Sequence, residues 1–311
     1  MADRPLGLLS RLRNSGGSDR SSDDARARIG SDRPRLALTD RLEDLGEIAK
    51  GGMASVRRVR DRNLMRTVAM KVLAPAIATR PHEAQRFLEE AQITGQLDHP
   101  YIPPVHEVGI DEEGTHYFTM KYVRGQTLEE LLDAGDDEAL GEERLFEALQ
   151  IFVKICQALS FAHSRGVIHC DIKPRNIMVG SHGQVYVMDW GIARLIDGDR
   201  TDAVALGEGA DRDRDEGRVL GTARWMSPEQ AQGRNSELDQ RTDVFQLGAL
   251  LYRIMTGFPP YPTETSKEAL ALAKECRWSP PEELAPERNL PRRLCSIAQK
   301  ALARSPEDRY Q

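Results

Sequence analysis

Cysteine is scarce. The 311 residues hold four, Cys156, Cys170, Cys276 and Cys295, with no CxxC pair and no CxxC-to-HxxxH arrangement. That spacing excludes a disulfide framework and offers no zinc-finger pattern, and a reducing cytoplasm is the expected setting. A basic excess is missing as well. The chain has 43 Lys and Arg against 49 Asp and Glu, a net charge of -6, which removes the electrostatic case for nucleic-acid binding. No stretch approaches the ~20 consecutive apolar residues of a membrane span. The start, MADRPLGLLSRLRNSGGSDRSSDD, lacks the apolar core of a secretory signal.

What is present is globular. Hydrophobic residues make up 40% and charged residues 30%, and the length suits two lobes better than one. Residues 1–39 differ: rich in Arg, Ser, Gly and Asp, they cannot bury enough apolar area to offset their ordering entropy. A disordered, solvated tail is expected there, in preference to an arginine-rich arm for an acidic partner.

From Arg41 the texture changes. LEDLGEIAKGGMASVRRVRD reads as strand, glycine turn, strand, and RTVAMKVLAP as a third strand ended by Pro75. Residues 82–97 place Ala84, Phe87, Leu88, Ala91 and Leu97 near helical spacing. HPYIPPVHEVGIDEEGTHYFTMKYV then gives two short strands about a polar turn. A β-rich lobe, residues 40–123, is thus expected before a helical lobe, residues 124–311. The second lobe has a long helix over 143–164, a strand in QVYVMDWG and a buried helix in TDVFQLGALLYRIMTG. Between the last two lies a charged loop, residues 197–218; a loop of that length is usually functional or mobile.

The densest cluster of reactive side chains is VIHCDIKPRNIMVG, residues 167–180. A metal reading is poor, because His169 and Cys170 are adjacent and no further ligands stand at zinc spacing. A thiol nucleophile at Cys170 would leave Asp171, Lys173 and Asn176 unexplained. As a unit, D-x-K-P-x-N supplies a proton-accepting carboxylate, a cation for phosphate and an amide oxygen for Mg²⁺, a set suited to phosphoryl transfer onto a hydroxyl. Its other parts exist elsewhere. Lys71 lies in VAMK on a predicted strand, and Glu90 on the next helix can pair with it. A loop of small residues, IAKGGMASV, precedes Lys71 and lets backbone N–H groups approach phosphates. Asp189 in DWG adds a second metal oxygen.

Taken together, these residues resemble the eukaryotic-like serine/threonine protein kinases of bacteria. The resemblance covers about residues 41–311 and rests on ten pieces in order: IAKGGMASV, VAMK, EEAQ, HPYIPPV, FTMKYV, VIHCDIKPRN, DWG, GTARWMSPE, DVFQLG and PEDRY. It implies an α+β, bilobal protein-kinase-like fold that uses ATP with Mg²⁺, or Mn²⁺ in its place, on protein Ser and Thr hydroxyls. By the same resemblance, Asp171 orients the hydroxyl and takes its proton, Lys173 steadies the transferring phosphate, and Asn176 and Asp189 bind the metal. Lys71, paired with Glu90, holds the α- and β-phosphates beneath Ile48, Ala49, Lys50, Gly51, Gly52, Met53, Ala54 and Ser55. Val56, Ala69 and Met178 sandwich the adenine, Lys121 and Val123 meet its edge through their backbone, and Met120 is the gatekeeper. Thr222 lies near Asp171, Glu229 pairs with Arg309, and Asp243 braces the catalytic loop.

The departures carry expectations of their own. Ala49 and Ala54 stand where the family often has glycine, so weaker ATP binding is expected. Trp190 replaces a phenylalanine and keeps its packing task. Cys170 replaces the arginine that holds a phosphorylated activation-loop residue, and only Thr201 and Thr222 carry hydroxyls between Gly191 and Ser227. Activity independent of loop phosphorylation is therefore expected. An oxidation-sensitive role for Cys170 is the lesser reading. The chain stops at PEDRYQ, one helix short of the family pattern. A catalytically weak pseudokinase acting as a nucleotide-binding scaffold is the alternative function, and a small-molecule kinase a third; the sequence leaves substrate protein and oligomeric state, including a dimer, open.

Overall fold

The computed structural model describes residues 41–78, 80–134, 141–196, 203–206 and 215–311. The expected tail at 1–39, Thr201 and most of the 197–218 loop lie outside the described residues.

Five antiparallel strands open the fold: β1 (Leu42–Lys50), β2 (Ala54–Asp61), β3 (Arg66–Leu73), β4 (Val105–Ile110) and β5 (His116–Lys121), in the order β1-β2-β3-β5-β4. Strand β5, rich in apolar residues, lies inside the sheet between β3 and the edge strand β4 and is buried on both faces from Tyr117 to Met120. After a single turn, α1 (Pro75–Ala78), helix α2 (Pro81–Gln96) starts on a proline, which needs no N–H partner at that place. Its buried stripe is Phe87, Glu90, Ala91, Ile93 and Thr94. One carboxylate thus sits in a helix face otherwise apolar or hydrogen-bonded, a costly position unless a cation meets it.

The helical part follows. Helix α3 (Leu128–Asp133) begins at a capping box of Thr127 and Glu130, and α4 (Glu142–Ser164) is the longest helix among the described residues. Short strands β6 (Gly125–Thr127), β8 (Ile177–Gly180) and β9 (Val185–Val187) form one small sheet, and β7 (Val167–Ile168) with β10 (Arg194–Leu195) another. Then come α5 (Pro228–Ala231), α6 (Gln240–Thr256), α7 (Ser266–Glu275), α8 (Pro281–Leu284) and α9 (Arg292–Ala301). Gly248 lets α6 and α9 approach closely, since a Cβ there would lie 2.6 Å from that of Ala301.

One sequence expectation needs correction. Residues Glu143–Ser164, with mean hydropathy 1.4, are long and apolar enough to cross a membrane by length and composition. In this fold Ile151, Ile155, Ala158, Leu159 and Ala162 of that helix pack with Leu250 and Ile254 of α6 and with Trp190 in the main core. One face of the helix is thus a core element, while Phe146 and Val153 on it are exposed. Ile93 and Leu97 of α2 join the same core, so the helix carrying Glu90 is packed against the second lobe.

Candidate active site

The chain leaves β7 into His169–Lys173, makes a 3-10 turn at Pro174–Asn176 and continues as β8. This strip is held from behind by α6. Asp243, fully buried, accepts through Oδ2 from the His169 N–H at 2.9 Å and the His163 ring at 2.7 Å, and through Oδ1 from the Cys170 N–H at 2.9 Å. Burial opposes its charge, but the His163 hydrogen bond and charge, with the backbone donor, hold its carboxyl below the usual range. Gln246, three residues on, accepts from Ile172 N and donates to the Cys170 carbonyl, both at 2.7 Å; Gln230 donates to the same carbonyl at 2.7 Å. The sequence reading missed both glutamines. Helical spacing from Asp243 was the available signal for Gln246, and the S-x-x-Q spacing of a capping box from Ser227 for Gln230.

His169 is not a ligand in waiting. Its Nδ1 accepts from Asp171 N at 3.2 Å and its Nε2 meets the Met188 carbonyl at 3.0 Å, so both nitrogens are committed. Its ring lies 4.5 Å from that of Trp190. Cys170, at φ 66° and 2% exposed, packs with Ile168, Leu238, Ile192 and Ile196. Burial pushes its thiol well above the ordinary range, reinforced by the charge of Asp243. A buried, protonated thiol is inert, and this runs against both the nucleophile and the oxidation-sensitive readings.

Asp171 faces the cleft with its side chain 11% exposed. Its Oδ2 accepts from Lys173 Nζ at 2.6 Å and Asn176 Nδ2 at 3.2 Å, and its Oδ1 from the Thr222 N–H at 3.2 Å. Lys173 also donates to Thr222 Oγ1 at 2.6 Å. Asn176 Nδ2 makes a second bond, 2.8 Å, to the Asp171 carbonyl. Gly221 beside it has φ +109°, with its Cβ position 3.5 Å from Asp171 Oδ1, which suits glycine alone.

Lys71 comes from β3, opposite Val56 on β2 and Phe118 on β5. Its Nζ donates to Glu90 Oε1 at 2.5 Å and Oε2 at 2.7 Å, and to Asp189 Oδ1 at 3.3 Å. Burial alone would depress this ammonium; the charges of Glu90 and Asp189 outweigh it and hold it above the ordinary lysine value. Asp189, at φ 61°, keeps a half-exposed side chain in the cleft. The charge of Lys71, with that of Lys173, overcomes desolvation and keeps it ionised.

The remaining candidates line the β-rich side. Ile48, Ala49 and Lys50 end β1, Gly51–Met53 form the turn, closed by Gly51 N to Ala54 O at 2.8 Å, and Ala54, Ser55 and Val56 start β2. Ile48 and Met53 are exposed. Ala69 pairs with Met120 across β3 and β5, and Ala54, Val56, Ala69 and Met120 share one apolar cluster with Phe118. Met178 is half-buried on β8, between Thr127 and Tyr186. The Lys121 ammonium lies 5.0 Å over the Tyr186 ring, and Val123 follows in the connection to β6. Farther off, Glu229 and Arg309 form a buried bidentate pair at 2.7 and 2.9 Å.

A strand-rich lobe with a lysine–glutamate pair, facing a helical lobe with an aspartate, lysine and asparagine on one loop, defines a phosphotransferase-like class of protein. The protein kinase domain family model matches residues 42–311, and the chain belongs to that family. It is 33% identical over 285 residues to serine/threonine-protein kinase PknD of Protochlamydia amoebophila, covering 88% of this chain and 29% of that one. It is 38% identical over 278 residues to PknB of Mycobacterium tuberculosis and 39% to PknB of Mycolicibacterium smegmatis, covering 88% of this chain and 41% of each relative. The chain therefore spans well under half the length of these curated relatives.

Proposed function

We propose that this chain is a serine/threonine protein kinase that moves the γ-phosphoryl group of ATP onto Ser and Thr hydroxyls of proteins. The observation that carries the reading is Asp171. Three groups, Lys173, Asn176 and the Thr222 N–H, hold its carboxylate at the cleft without covering it. Asp171 takes the proton of the attacking hydroxyl as the new O–P bond forms and the bond to ADP breaks. Lys173 compensates charge on the transferring group, and its bond to Thr222 fixes where it does so. Lys71, held by Glu90, neutralises the remaining phosphates. Val56, Ala69, Met120 and Met178 offer apolar walls to a purine, with the backbone of Lys121 and Val123 at its edge.

The donor set fits Mg²⁺. Asn176 commits its Nδ2 to Asp171, leaving its oxygen as the group for a cation, and Asp189 brings an ionised carboxylate in the same cleft. Two protein oxygens suit an ion that keeps water and phosphate ligands. Bound there, the metal would neutralise phosphate charge.

The test is transfer of label from γ-labelled ATP with Mg²⁺ to a generic basic protein. The wild type is expected to transfer, and Asp171→Asn to do so at least ~10²-fold more slowly while still binding nucleotide. Equal rates would sink the assignment. Independence from loop phosphorylation belongs to the same reading and is supported by Cys170 in place of a phosphate-holding arginine. Phosphatase treatment and Thr201→Ala should each change turnover by no more than about twofold. A cytoplasmic setting, where ATP and free thiols coexist, goes with this function.

A further inference from the structure

The described segment that begins at Asp215 brings an acidic side chain back to the β-rich lobe. Asp215 is 8% exposed. Its Oδ1 accepts from the Arg86 guanidinium on α2, and its Oδ2 lies 3.7 Å from Arg194 on β10. Arg218, mostly exposed, stands 3.4 Å away on the rim. The backbone here is tied to the helical lobe. Asn235 Nδ2 donates to the Asp215 carbonyl, Gly217 N to Gly233 O at 2.9 Å, and Ser236 N to the Glu216 carboxylate at 2.8 Å. Arg194 itself donates to the Asn235 carbonyl at 2.8 Å.

Arg86 lies four residues before Glu90, one turn along the same helix. A carboxylate fixed to one lobe thus grips α2 next to the residue that engages Lys71. Position 170 itself supplies no competing cation, because its side chain is a thiol packed among Ile168, Leu238, Ile192 and Ile196. Arg86 and Arg194 are mostly buried, and an unopposed pair of buried cations would be costly. A single negative charge is already present, in the sequence, to meet them.

We propose that Asp215 is a positioning residue for phosphoryl transfer: through Arg86 it pins α2 so that Glu90 stays on Lys71, serving as the fixed counter-charge that a phosphorylated loop residue would otherwise supply. This rests on the kinase reading above.

Asp215→Asn keeps the shape and removes the charge; Asp215→Glu keeps the charge; Arg86→Gln breaks the same pair from the other side. Each is compared with wild type, as the full 311-residue chain, in two measurements: kcat and ATP KM for a basic protein substrate, and backbone amide hydrogen exchange over Pro81–Gln96. The proposal expects Asp215→Asn and Arg86→Gln each to lower kcat by ~10-fold or more with little change in ATP KM, and to speed exchange in α2. Asp215→Glu should restore most of both, and the double variant Asp215→Asn/Arg86→Gln should be no worse than either single one. Unchanged kcat, or unchanged α2 exchange, in Asp215→Asn overturns it. If the wild type transfers no phosphate, the kinase reading has failed on its own account. The exchange data then decide alone: faster α2 exchange in the variants upholds the pin, and unchanged exchange removes it.

Discussion

Asp243 holds the left-handed backbone of Cys170 in place: its Oδ1 accepts the Cys170 N–H at 2.9 Å, while its Oδ2 accepts that of His169 at the same distance. A residue at φ 66° outside glycine persists only when its surroundings over-determine it. The consequence is that Asp171, the next residue, leaves the turn aimed at the cleft.

Asp243→Ala should therefore disturb both folding and transfer. Two buried N–H groups lose their acceptor, each at a cost of ~1–3 kcal/mol. A stability loss of ~3 kcal/mol is expected in urea unfolding, together with a lower kcat in the folded fraction. Wild-type stability would contradict the bracing role.

Glu90 tests the lysine pair in isolation. Glu90→Gln keeps the side chain's size but removes the charge that faces Lys71 at 2.5 and 2.7 Å. Turnover should fall by ~10-fold or more, because Lys71 is no longer fixed, while nucleotide binding changes much less. Parallel titrations of rate and nucleotide affinity separate the two effects.

The Glu229–Arg309 pair should govern acid stability. Burial opposes the Glu229 charge, but the Arg309 hydrogen bond and charge hold its carboxyl below the ordinary glutamate value. A depressed folded-state value gives stability that is present above the unfolded pKa of ~4.3 and is lost as pH falls through the folded one. Unfolding measured from pH 7 down to pH 3 should thus steepen below ~4 in the wild type and less so in Glu229→Gln. Arg309→Ala, which strands a buried carboxylate, should cost ~3–5 kcal/mol at pH 7.

Cys170 gives a chemical prediction. Its thiol is buried and held protonated, so native protein at pH 8 should leave it unlabelled by iodoacetamide, with labelling only after unfolding. Cys170→Ala should lose ~1 kcal/mol of packing and keep transfer within a few-fold. Loss of transfer in that variant would return the thiol to the mechanism.

Much of this was legible in the chain. The spacing D-x-K-P-x-N places Asp171, Lys173 and Asn176 on one short loop, and the amphipathic stripe of α2 shows where Glu90 lies. The position of Lys71 on β3 follows from local pattern as well. The glutamines behind Cys170 did not, because a polar residue in an apolar helix shows only that some partner exists. The apolar pocket around Cys170 was equally hidden, being built from Ile168, Ile192, Ile196 and Leu238 on separate segments.

By itself, then, the sequence determined the kinds of groups available and their order, since backbone propensity and side-chain period act over a few residues. Only the tertiary structure decided which distant groups meet. Asp243 and Cys170 are 73 residues apart, Glu229 and Arg309 are 80, and Arg86 and Asp215 are 129. Such pairs form because burial of the two lobes' apolar surfaces brings them together, and desolvated charges then admit only the partners that packing has placed within reach.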